Sequence, residues 1–176
     1  MSATAYLFAK TVVYSGTTAV QTAVRTVIVV AGKGAPTRGA VIAGDPILEL
    51  YLTLALTAAV AALTGLALSA AARSHDQILP MLVISVMLSM VLCGGLIPVT
   101  GRPVPDQLSR AVPARWGFAA TASTTDLRAI SPFTPQKETL WSHGPGRWLL
   151  NMTLLIALAS MFHVVAVGGV CWGGLS

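Results

Sequence analysis

Four long apolar blocks, at about residues 11–32, 47–72, 78–98 and 148–172, constrain this chain more than anything else in it. Each has about 20 residues or more, the length that a helix rising 1.5 Å per residue needs to cross a hydrocarbon core about 30 Å thick. Backbone N–H and C=O groups have no water to bond in such a core, so the blocks read as helices that satisfy their own backbones. The expected fold is therefore an all-α integral membrane helical bundle with four transmembrane helices, in a single domain covering residues 1–176. Hydrophobic residues make up 55% of the chain and charged residues 10%, with a mean hydropathy of +0.75. An ordinary soluble domain has about 25% charged residues. The N-terminus lacks a basic stretch ahead of its first apolar run, so the first span is expected to insert uncleaved.

The third block is the purest. Between Ile78 and Ile97 its only ionisable side chain is Cys93, and Ser74-His75-Asp76-Gln77 ahead of it has the form of a capping-box start, with Pro80 inside the first turn. Only Arg73 to Gln77 join it to the second block, which predicts an antiparallel helical hairpin. Gly65 and Ser69 on one span, and Ser85, Ser89 and Cys93 on the next, are small residues four apart that would let the two backbones approach closely.

Residues 99–146 form the only long polar region, and six prolines from Pro103 to Pro145 prevent a continuous helix. Two short helices are expected within it, at Asp106–Val112 and Arg115–Leu127, re-entrant or lying at the interface. Trp116, Trp141 and Trp148, with Phe118 and Phe133, suit the headgroup level. The stretch from Cys93 to Phe118 thus leaves a span through Gly94-Gly95 and Pro98 and returns as an amphipathic segment with Arg115 and Trp116 on its return, the form of part of a transport pathway.

Chemistry is sparse. Gly32-Lys33-Gly34-Ala35-Pro36-Thr37 lacks the spacing of a phosphate-binding loop. Cys93 and Cys171 form no Cys-x-x-Cys pair, and His75, His143 and His163 are scattered, so neither a metal site nor a disulfide is expected. Asn151-Met152-Thr153 matches a glycosylation pattern but falls inside an apolar block. The spans hold only Arg25, Glu49 and His163 as strongly polar ionisable groups, too few for a membrane enzyme. The basic residues behind the net charge of +5 are dispersed among prolines, which argues against a nucleic-acid partner. Arg25 shares a helical face with Thr18, Gln21 and Thr22. An arginine at mid-bilayer costs about 2.5–3.5 kcal/mol on insertion scales, so Gln21 and Arg25 are expected either to line a polar cavity or inter-subunit surface, or to reach headgroups from a tilted or early-ending helix.

Ala5-Tyr6-Leu7-Phe8-Ala9-Lys10, Gly65-Leu66-Ala67-Leu68-Ser69, Gln77-x-x-Pro80, Cys93-Gly94-Gly95-Leu96-Ile97-Pro98, and Pro113 to Ala120 followed by Asp126-Leu127 occur in an order and spacing that resemble the membrane part of G-subfamily ABC exporters, in particular bacterial fusions of forkhead-associated, ATPase and permease parts. The resemblance implies six spans per permease half, of which these would be the third to sixth, with the first two spans and the ATP-binding domain absent from this sequence. It implies a partial permease subunit that exports a lipid or other hydrophobic compound. The transport path would be lined near Met87, Met90 and Val91, and ATP and Mg would be bound on a partner ATPase rather than on this chain. Implied partners are that ABC ATPase, a second permease half in a homodimer, and membrane lipid.

The implied location is the bacterial inner membrane, with both termini cytoplasmic. That orientation puts Lys33, Arg38, Arg102, Arg110, Arg115, Arg128, Lys137 and Arg147 outside, against the positive-inside rule, and upstream spans would have to set it. The uncharged ending Val167 to Ser176 departs from the basic tail usual in the family. The alternative is a membrane interaction module or truncated gene remnant that inserts and oligomerises without transporting.

Overall fold

A computed structural model describes residues 3–36, 39–40, 45–72, 74–96, 103–127 and 139–173. Among the described residues it is all helical: α1 (Ala3–Lys33), α2 (Pro46–Ala71), α3 (His75–Leu92), α4 (Pro103–Arg110), α5 (Pro113–Thr124), a 3-10 turn at Thr139–Trp141, and α6 (Pro145–Gly173). Two stretches, α2 and Pro145–Gly169 within α6, are long and apolar enough to cross a membrane. Asp76–Leu92 in α3 is apolar but shorter.

The ends of the helices follow local chemistry. α2 opens with Pro46 in its first turn, and the Asp45 side chain accepts a hydrogen bond from the Leu48 N–H at 3.2 Å. α1 starts at Ala3, eight residues before the expected edge, because nothing between Ala3 and Lys10 breaks a helix. α3 stops at Leu92 rather than residue 98. Its end is a turn in which Gly94 has a φ of +87°, a left-handed conformation that a side chain would strain. Pro98, expected where the third span exits, lies outside the described residues, as does Phe133. Ser74 is at the N-cap of α3 but makes no side-chain cap hydrogen bond, so the expected capping box is not formed.

The helices pack around α2, which lies along α6 on one side and α1 on the other, while α5 wedges across α2 and α6. Val60, Trp116, Ala120, Trp148, Met152 and Leu155 form the core, drawn from α2, α5 and α6. Trp116, Trp141 and Trp148, expected at the headgroup level, are packed within the protein, at 8%, 3% and 9% exposed. Two of them bury an indole because its N–H has a partner within the protein: Trp116 Nε1 donates to the Arg110 carbonyl at 2.8 Å, and Trp148 Nε1 donates to Thr53 Oγ1 at 3.0 Å.

The close backbone approaches also differ from those expected. A Cβ at Gly65 would meet nothing within 4 Å, whereas one at Gly117 would overlap the Thr57 side chain and one at Gly169 would come within 3.1 Å of the Ala70 Cβ. The small residues of α2 and α3 therefore do not form a tight hairpin. The helices splay apart because α5 and the turn before it come between them, and Gly117 supplies the notch that lets α5 seat on α2.

Candidate functional site

The splay leaves a cleft. Thr57, Ala61, Thr64, Gly65 and Leu68 of α2 face Leu82, Ser85, Val86, Ser89 and Met90 of α3 across a cavity of about 270 Å³ that Pro113 and Ala114 close at one side. A second cavity of about 310 Å³ shares Thr64, Leu68, Ser85 and Ser89 and reaches Ala111 and Val112, so the two form one groove beneath the α4–α5 turn. The threonine hydroxyls on the α2 wall are spent on their own helix: Thr57 donates to the Thr53 carbonyl at 2.7 Å and Thr64 to the Val60 carbonyl at 2.9 Å. What α2 offers a ligand is methyl and methylene surface.

α4 and α5 form a helical hairpin. α5 begins beside Ala61 to Gly65, more than halfway along α2, passes Thr57 at Gly117, and ends at Thr124 against Glu49, near the start of α2. Its turn is self-satisfied, with the Ala111 and Val112 N–H groups bonded to the Leu108 and Ser109 carbonyls. Arg115, buried at the start of α5, holds the hairpin shut. Its Nη2 is 2.8 Å from Asp106 Oδ1, and its Nη1 donates to Ser109 Oγ. Asp106 also pairs through Oδ2 with the exposed Arg110 at 2.8 Å. Desolvation opposes ionisation of the Asp106 carboxyl, but the hydrogen bonds from Arg110 and Arg115 outweigh it and hold its pKa below the ordinary value.

The elbow after α3 seats on aromatic rings. Gly94 packs under Trp141, and a Cβ at Gly95 would lie 2.8 Å from Phe118 Cζ. Phe118 and Trp141 meet edge to face, with centroids 5.3 Å apart at 71°. Gly94 and Gly95 thus pack on the same assembly, through Trp141 and Phe118, that Arg115 and Trp116 of α5 belong to. Of the residues expected near a transport path, Met90 lines the cleft. Met87 lies about 160° around α3 from both Ser85 and Ser89, Val91 about 120° from Ser85 and about 160° from Ser89, and both are exposed away from the cleft. Gln21 and Arg25 lie on the exposed side of α1, whereas Thr22 and Thr26 face inward and donate to the Thr18 and Thr22 carbonyls.

Sequence reasoning missed a buried polar layer near the start of α2. Glu49 is fully buried, and its Oε1 accepts from Thr124 Oγ1 at 2.6 Å and from the Ala40 N–H at 3.1 Å. Thr53 takes the Trp148 indole, His143 Nδ1 lies 2.8 Å from the Ser123 carbonyl, and Asn151, also fully buried, donates to the Leu140 carbonyl at 3.5 Å. Glu49 as a lone acid inside an apolar block was the one available signal.

The model of the family described as ABC-2 type transporter matches residues 1–124, which include α1 to α5. The chain belongs to the ABC-2 type transporter family. It is also 49% identical over 174 residues, 98% of its length, to the ABC transporter ATP-binding/permease protein Rv1747 of Mycobacterium tuberculosis, of which it spans 20%. No solved structure matches it. The chain is accordingly a membrane protein of the permease type.

Proposed function

We propose that this chain is part of the permease of an ATP-driven exporter in a bacterial inner membrane, and that the groove between α2 and α3 is part of the path of a lipid or other hydrophobic compound. The observation that carries this reading is an apolar groove under the α4–α5 hairpin, in a chain of a transporter family. Charged side chains are absent from its described lining, which suits a hydrophobic cargo. ATP and Mg would be bound by an ATP-binding cassette partner, a reading supported by the relative's being an ATP-binding/permease protein. In this reading a second permease half completes the path, both termini are cytoplasmic, and the α4–α5 hairpin, Gly94 and Gly95 form the outer lid. Gln21 and Arg25 would face the second half or water, since an exposed arginine on a span is costly against lipid.

The test is reconstitution in liposomes with an ATP-binding cassette partner, following ATP-dependent movement of a fluorescent lipid between leaflets. Ser89→Trp, which fills the groove, is expected to abolish movement while the protein still inserts, and Arg25→Ala to reduce it. ATP-independent insertion and dimerisation with no lipid movement in the wild type would instead establish the interaction module.

A further inference from the structure

The α4–α5 hairpin carries more positive charge than it neutralises. Asp106 is shared between Arg110 and Arg115, so among the described residues of the hairpin two guanidinium groups face one carboxylate. Arg115 is buried against Asp106 and Ser109 and has no freedom left. Arg110 is different: its side chain is 65% exposed, and it directly precedes Ala111 and Val112, which line the groove. A single excess positive charge therefore stands on the residue next to the lining of an apolar trough.

The trough has the dimensions of one acyl chain. From Thr57 to Leu68 it follows eleven residues of α2, about 16 Å along the helix, and half of a hydrocarbon core about 30 Å thick is about 15 Å. A molecule that fills it with a chain and meets Arg110 with an anion is an anionic phospholipid. We propose that the α2–α3 groove binds one acyl chain of an anionic phospholipid and that Arg110 receives its headgroup phosphate. Arg110 can turn from Asp106 to the phosphate without leaving that carboxylate bare, because Arg115 stays paired to it. The site rests on the permease reading only for its placement in a membrane.

The test uses the whole chain in detergent, with native mass spectrometry to count retained phosphatidylglycerol and phosphatidylcholine of identical acyl chains. The wild type is expected to retain phosphatidylglycerol over phosphatidylcholine by about fivefold, the scale of one arginine beside an anionic headgroup. Arg110→Gln should bring the ratio to about one, and Ser89→Trp should remove both lipids while circular dichroism stays unchanged. Millimolar inorganic phosphate should not alter the wild-type ratio. An equal ratio in the wild type, a preference that survives Arg110→Gln, or displacement of the lipid by free phosphate would overturn the proposal. Because no ATP is involved, failed transport would leave this result standing, and a failed binding test would leave the transport assay to be judged alone.

Discussion

α3 and α5 invert the usual link between hydropathy and burial. α3 is apolar from Ile78 onward, yet Leu79, Val83, Ile84, Met87 and Met90 are each at least 47% exposed. α5, with Arg115, Gly117, Ser123 and Thr124 among its twelve residues, is buried on nearly every side. In water this would be a badly folded protein. In a bilayer it is the expected arrangement, because lipid chains solvate leucine as well as another leucine does, while hydroxyls, glycines and charges gain by packing inside. Burial here marks where polarity must be hidden and where backbones must touch.

That contrast can be broken most sharply at Gly117. Replacing it with Leu drives a side chain into Thr57 and should cost about 3 kcal/mol or more, read as a large drop in thermal unfolding temperature in detergent; an unchanged midpoint would mean that α5 is not a core helix. Next comes Arg115→Met, which removes the ion pair to Asp106 and the bond to Ser109. A loss of about 2 kcal/mol is expected, together with easier proteolysis within α4. Acid should have a smaller effect. The Asp106 carboxyl titrates below its ordinary value of 3.8 in the folded chain, so its stabilising contribution is complete above that value and is lost only as the pH falls through the lowered one. Unfolding temperatures should therefore show a step at strongly acidic pH that Asp106→Asn abolishes. Smallest of all, Met87→Ala on the exposed side of α3 should change the stability of the isolated chain by less than about 0.5 kcal/mol, and a larger change would show that α3 is packed rather than lipid-facing.

The helical blocks, the two short helices between prolines and the Gly94-Gly95 elbow were legible because each is set by neighbours in sequence. Hydropathy windows and proline positions report local constraints. The inward turn of the tryptophans was not legible. Trp148 finds Thr53 across 95 residues and Glu49 finds Thr124 across 75, and no periodicity encodes such partners. α1 shows the same limit in another way. Its threonines look polar in a composition count, yet Thr17, Thr18, Thr22 and Thr26 each donate to a carbonyl one turn back, leaving a surface closer to valine than the sequence suggests. Gly65 and Ser69 failed as a packing stripe for a related reason: small spacing permits an approach, and a third element, α5, holds the two helices apart.

The depth reached by the α4–α5 turn has a further consequence. Its tip lies beside Ala61 to Gly65, so along this line the part of α2 left beyond it runs only from Gly65 to Ala71, about 9 Å of helix. Less than two helical turns of α2 therefore lie past the hairpin tip, and Leu68, which lines the groove, sits within them.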